Sequence, residues 1–207
     1  MKLKKTLYPK TKRIAEFNSK VTITEKLDGS NLTLFKLHGE LHIAQRNYIF
    51  SLSDITAVKN PNKDLYKGLV GWLTLNAADL ENDLHEGACI CGEWLGMGKL
   101  KYGETFNSRF LQFAKANVDT DMNIRNIVYS KELFKWSFVS KLQPEYISEV
   151  PTVKETHTVP TINYLDSLYT EYCDEVARDV EGFVITVNNS VMKYVRMKNG
   201  KLTDHRD

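Results

Sequence analysis

A primary amine, short polar side chains and a glycine fall together in Glu25-Lys26-Leu27-Asp28-Gly29-Ser30-Asn31. A lysine amine attacks an electrophile such as phosphorus only when uncharged, and lysine ordinarily keeps its proton to about pH 10. Neighbouring cations disfavour the ammonium, so a nucleophilic Lys26 needs basic residues from elsewhere in the chain. The same cations stabilise charge that develops on a reacting phosphate. A lone Lys-x-Asp-Gly is more often a plain surface turn, so the reading rests on what lies downstream. There the chain carries Arg46, then Glu93 in Gly92-Glu93-Trp94-Leu95-Gly96. It continues with an aromatic stretch containing Phe110 and Phe113, then Glu181 with Gly182, and last the basic residues Lys193, Arg196 and Lys198.

The elements that must position these residues are legible as patterns. Alternation in Val21-Thr22-Ile23-Thr24 and again from Leu32 to Leu37 predicts two strands, with Lys26 presented at the turn between them. Gly39 predicts a hairpin into Leu41 to Arg46, so that Arg46 ends a strand and returns towards the lysine turn; taken alone it is a solvated rim residue. Residues 47–62 read as a polar loop with a stop at Asn60-Pro61-Asn62. From Lys63, the positions Leu65, Leu69, Trp72, Leu73, Leu80 and Leu84 recur at three and four, an amphipathic helix ending near Gly87 with Asp79, Glu81, Asp83 and Glu86 facing solvent. Ala88 to Cys91 reads as a buried strand with Glu93 at its end, where a carboxylate needs a partner or a metal.

Gly96, Gly98 and Gly103 predict a mobile loop that holds Lys99 and Lys101. Arg109 to Val118 is the next strand, with Phe110 and Phe113 on opposite faces, followed by a polar turn over 119–126. Ile127 to Val139 and Glu145 to Val150 add strands, broken by Pro144, Pro151 and Pro160. Asn163 caps a second helix to about Asp179, with Leu165, Leu168, Tyr169, Tyr172 and Val176 inward. Glu181 and Gly182 open a buried strand, Asn188-Asn189-Ser190 turns the chain, and the alternating basic residues after Val191 suit an exposed face or a blunted edge.

With 207 residues, 42% of them hydrophobic, the chain supports one substantial core, and a single domain over 1–207 is the expectation. The balance of 28 basic against 26 acidic residues excludes a polycation that coats nucleic acid indiscriminately, so any phosphate contact is local. Lys2, Lys4, Lys5, Lys10, Lys12, Arg13 and Lys20 crowd the first twenty positions, either to meet phosphates or as a solvated arm. No apolar run follows them and none elsewhere is long enough for a bilayer, which predicts a cytoplasmic protein without a membrane partner. Cys89, Cys91 and Cys173 lack a zinc-like spacing and are expected reduced and packed. The five histidines suggest no ligand set.

In order and spacing, Lys-x-Asp-Gly-x-Asn, Arg46, Gly-Glu-x-x-Gly, the aromatic strand, Glu-Gly-x-Val-Ile and the terminal basic strand resemble the covalent nucleotidyltransferases. That superfamily comprises the ATP-dependent DNA and RNA ligases and the mRNA capping enzymes. Asn31 and the spelling Glu93-Trp94-Leu95-Gly96 are most similar to the RNA ligase 2 group, which includes the trypanosomal RNA-editing ligases. The likeness runs from about residue 25 to 200. It implies an α+β fold, two mainly antiparallel sheets with flanking helices around a nucleotide pocket.

The resemblance also implies a reaction. Lys26 matches the nucleophile that takes AMP from ATP as a lysine-N-AMP, expelling pyrophosphate; the AMP then passes to a 5′-phosphate, and a 3′-hydroxyl displaces it to seal the strand. Glu25, Asn31 and Arg46 match nucleotide-holding residues, the last two also serving the incoming 5′-phosphate end. Glu93 matches the ribose contact, Phe113 the ring stacked on adenine, and Lys193 and Lys198 the α-phosphate contacts. Glu181, with Glu93, matches the acids that engage Mg²⁺ or Mn²⁺. The implied partner is RNA with 5′-phosphate and 3′-hydroxyl ends, including nicked duplex, with a separate RNA-binding or end-healing protein as a further partner.

Two departures stand out. Ala114 follows Phe113 where relatives often carry Asp, and Arg196-Met197-Lys198 stands where relatives often have Lys-x-Lys, leaving open which basic residue meets the phosphate. The chain also reaches its last residue soon after that motif, so neither a C-terminal OB-fold nor a helical domain is expected. The alternatives are a DNA ligase or capping-type enzyme working with a separate OB-fold subunit, and a non-catalytic RNA-binding homologue.

Overall fold

The computed structural model describes residues 20–46, 48–57, 66–129, 147–198 and 200–203. Outside the described residues lie the basic cluster from Lys2 to Arg13, the stop at Asn60-Pro61-Asn62, the helix start at Lys63 and Leu65, Pro144, Glu145 and the strand expected beyond residue 129. The chain divides into two units. The first contains the described residues of Gly29–Met97 and Gly103–Glu149, and the second those of Lys10–Asp28, Gly98–Tyr102 and Val150–Asp207.

In the first unit, β2 (Ser30–Leu37), β3 (Glu40–Ala44), β4 (Ile49–Ser51), β5 (Ala88–Trp94), β6 (Phe110–Val118) and β7 (Ile124–Tyr129) form an antiparallel sheet in the order β4-β3-β2-β5-β6-β7. A short strand β8 (Ser148–Glu149) pairs parallel with β6. Alternate residues Leu32, Leu34, Leu41, Ile43, Ile90, Trp94 and Phe110 pack on helix α2 (Leu69–Asp83) through Leu69, Leu73 and Leu80. A smaller helix, α1 (Leu52–Ala57), adds Ile55 to that core. Phe35, Cys89, Cys91, Ala114 and Ala116 form a second cluster with Phe113 packed against it, so Phe110 and Phe113 belong to opposite faces as expected. All three cysteines are free.

The second unit has a four-stranded antiparallel sheet in the order β11-β10-β1-β9, built from β1 (Val21–Lys26), β9 (Thr152–Thr156), β10 (Gly182–Val187) and β11 (Ser190–Val195). Helix α3 (Ile162–Val176) covers one face, setting Leu165, Leu168, Tyr169 and Tyr172 against Val21, Ile23, Phe183, Ile185, Met192 and Tyr194. A two-stranded hairpin, β12 (Met197–Lys198) with β13 (Lys201–Leu202), follows. Period-two burial in β1 leaves Thr22, Thr24 and Lys26 on the face opposite α3.

Several expectations shift. Thr161, not Asn163, caps α3, its hydroxyl accepting the Tyr164 amide at 3.2 Å, and the helix ends at Val176 because Ala177 turns left-handed. Asp83 is buried, not solvent-facing, whereas Glu86 is exposed as expected and accepts the amides of His38 and Gly39 at 2.5 and 3.0 Å, bracing the β2–β3 turn. The loop predicted over 47–62 contains β4 and α1, and β7 begins inside the predicted 119–126 turn. No helix among the described residues is long and apolar enough to cross a membrane.

Candidate active site

Lys26 closes β1, paired in register with Gly182. Its ammonium lies 2.6 Å from Glu181 Oε1, both side chains being mostly enclosed. Burial pushes the Glu181 carboxyl above the usual range and the Asp28 charge adds to that, while Lys26 and, more weakly, Lys193 hold it back. Lys193 is exposed on β11 opposite Val184, which in turn faces Thr24 of β1, so it shares the sheet face that carries Lys26. Lys26, Asp28, Glu181 and Lys193 therefore form one electrostatic cluster.

Glu181 also acts through its main chain. Its carbonyl accepts the amides of Arg196 and Met197, both at 2.9 Å. The double contact fixes the segment that leads directly to Lys198, which is exposed in β12. Gly182 makes the approach feasible: its φ is +150°, and a Cβ there would fall 2.0 Å from the Tyr194 carbonyl oxygen. Arg196 turns to α3, where its guanidinium pairs with Asp166 and lies 5.6 Å over the Tyr169 ring. Of the three basic candidates, Lys193 and Lys198 thus remain exposed.

Glu25 points to the α3 side of β1, away from Lys26. Its buried carboxylate accepts a two-pronged contact from Arg178, 2.6 Å on each oxygen, and the Tyr172 hydroxyl at 2.9 Å. The loop expected to be mobile is tied down: Asp28 Oδ2 accepts the amides of Lys99 and Leu100 at 2.5 and 2.8 Å.

In the first unit Asn31 and Glu93 are direct cross-strand partners between β2 and β5 and share a face. Phe113 is the extra residue of a bulge, since Cys91 pairs with Ala114 and Gly92 with Gln112; a bulge places it beside Ala114 on the Asn31 and Glu93 face. Arg46 does not end a strand, because β3 stops at Ala44 and Arg46 sits exposed in a bend. Tyr66 connects these residues: its hydroxyl donates to the Asn31 carbonyl at 2.9 Å. Burial and the Glu93 charge push its phenol up, opposed by the Arg46 main chain and the Ser30 hydroxyl.

Sequence reasoning missed Tyr66, which supports Asn31 in the first unit, and Tyr102, Tyr172, Arg178 and Asp28, which brace the surroundings of Lys26 in the second. Asp28 carried a signal, since it sits inside the lysine motif. The others did not, because their partners lie between 35 and 153 residues away.

An RNA ligase family model matches residues 19–199. The chain belongs to the RNA ligase family. Among solved structures, an archaeal ATP-dependent RNA ligase is 16% identical, with a TM-score of 0.55 over 91% of this chain and 48% of that one. A Naegleria gruberi RNA ligase mutant in its apo form is 14% identical, with a TM-score of 0.51 over 92% of this chain and 58% of that one. Another mutant of that ligase, with ATP and Mn, is 15% identical, with a TM-score of 0.51 over 87% of this chain and 50% of that one. At these identities the likeness shows the fold, which is the α+β nucleotidyltransferase fold expected from the motifs. The chain spans about half the length of these structures. No curated protein matches it in sequence.

Proposed function

We propose that this RNA ligase family member is an ATP-dependent ligase that joins 5′-phosphate and 3′-hydroxyl RNA ends through a lysine-N-AMP. The observation that carries the reading is the 2.6 Å pair of Lys26 with Glu181, made by the residue whose carbonyl also anchors the approach to Lys198. Lys26 gives up its proton to solvent water and leaves Glu181. Its Nζ then bonds to the α-phosphorus of ATP as the bond to the bridging oxygen breaks and pyrophosphate departs with the electron pair. Lys193 and Lys198 supply positive charge to the phosphate oxygens. Glu93 takes the ribose, Phe113 the adenine ring, and Asn31 and Arg46 the nucleotide and the 5′-phosphate end. Glu25 serves this site indirectly, its carboxylate being committed to Arg178 and Tyr172.

The residues present fit a divalent ion. Glu181 and Glu93 would offer carboxylate oxygens, the hard donors that Mg²⁺ and Mn²⁺ prefer, and Mg²⁺ commonly keeps several waters beside one or two carboxylates. When bound, such an ion supplies positive charge to the phosphates.

The test is sealing of a single nick placed in RNA, DNA and hybrid duplexes with ATP and Mg²⁺. Sealing of nicks with RNA ends is expected. Sealing confined to DNA, dependence on GTP, or salt-sensitive RNA binding without sealing would each replace this reading with another. The proposal further treats 1–207 as one adenylyltransferase domain, located in the cytoplasm and working on RNA, alone or beside an end-healing partner.

A further inference from the structure

Asp28, two residues beyond Lys26, is gripped at three points by the segment Gly98–Tyr102. Its amide donates to Tyr102 Oη at 2.6 Å. Its carboxylate accepts the amides of Lys99 and Leu100. Its carbonyl packs so tightly on Gly98 that a Cβ there would fall 1.8 Å away. Tyr102 is buried, and its ring lies 5.2 Å beneath the guanidinium of Arg178, the same group that holds Glu25. The residue before Lys26 and the residue two after it are therefore fixed to one connected set of side chains, Arg178 against Tyr102.

From this geometry we infer that Tyr102 is a positioning residue for Lys26, the closing member of a strap over Gly98–Tyr102 that sets where the amine points. The inference rests on the ligase reading for its consequence in rate, but not for its geometry. A nucleophile must sit within a narrow range of distance and angle to attack in line, so holding both flanks of the lysine removes freedom that would otherwise oppose the reaction. Burial pushes the Tyr102 phenol well up, so Oη stays neutral and keeps accepting the Asp28 amide throughout the working pH range. The hydroxyl acts on Lys26 through Asp28, whose amide it accepts.

Tyr102→Phe keeps the ring over Arg178 and removes Oη alone. Loss of one such bond should slow single-turnover transfer of AMP to the protein roughly tenfold, with KM for ATP nearly unchanged and the melting temperature lowered by about a few degrees. Asp28→Asn, which keeps an oxygen for the Lys99 and Leu100 amides, should retain more activity than Asp28→Ala. The amine is also read without ATP: after reductive ¹³C-methylation, the Lys26 resonance, assigned by its loss in Lys26→Arg, should move in Tyr102→Phe and stay fixed in Tyr164→Phe, a change on the exposed side of α3. If the parent protein takes AMP and Tyr102→Phe takes it at the same rate, the strap does not position Lys26. A parent that takes no AMP, but whose Lys26 resonance responds to Tyr102→Phe, would keep the strap and refute the ligase reading. A resonance unmoved in such a parent would overturn the strap as well.

Discussion

The main-chain oxygen of Glu181 accepts the amide of Arg196 at 2.9 Å, and through that bond the start of β10 dictates where the basic strand passes. The side chain of the same glutamate meets Lys26. One residue thus sets two of the charges that the proposed transfer needs.

The arrangement depends on Gly182. A Cβ at that position would overlap the Tyr194 carbonyl, and its φ of +150° is open only to glycine. Gly182→Ala should lower stability by about 3 kcal/mol or more, by strain and overpacking together, measured by urea unfolding; a loss below about 1 kcal/mol would show that β11 yields easily.

The basic residues should separate by function. Arg196 is spent on Asp166 and Tyr169, whereas Lys198 is exposed. Lys198→Ala should reduce AMP transfer by at least about a hundredfold, in line with the loss of one oriented cation at a reacting phosphate. Arg196→Lys should lower the melting temperature with little change in rate. The reverse pattern would make Arg196 the phosphate contact.

Glu25 and Arg178 form a buried pair that neither residue can leave cheaply. Arg178→Met strands a fully buried carboxylate and should cost about 3–5 kcal/mol, while Arg178→Met with Glu25→Gln should cost clearly less than the two single changes added. Additive losses in a double-mutant cycle would mean that the two side chains are not coupled.

Glu181 gives stability a pH signature. Its folded pKa lies above its unfolded one, with burial as the chief cause, so its ionisation opposes folding. That penalty is absent well below about pH 4.5, the ordinary glutamate value, and fully present once the pH exceeds the folded value. Glu181→Gln removes the titration, so the melting temperature of the variant relative to the parent should rise between pH 4 and pH 7. A flat or falling difference would mean that the attraction to Lys26 outweighs burial.

Much of this was legible in the chain. The alternation around Lys26, the turns at Gly39 and Asn188-Asn189 and the apolar spacing of α2 and α3 each encode one element locally, and the structure contains them. Strand β9 was not legible, because Thr152–Thr156 is largely exposed and its side chains carry no buried stripe. Helix α1 was missed because six residues are too few for a period to register. In the site, residue types within motifs could be read, but not their supports: Arg178 reaches Glu25 across 153 positions, and nothing near either residue announces the pair. The bulge at Phe113 is a property of the pairing of β5 with β6, invisible in β6 alone.

The most direct measurement is the mass of the protein after incubation with ATP and Mg²⁺, followed by peptide mapping of the added group. The account predicts a gain of one AMP, labile to acid, on the peptide containing Lys26, and none in Lys26→Ala. An adduct on another residue, or equal labelling of Lys26→Ala, would contradict it.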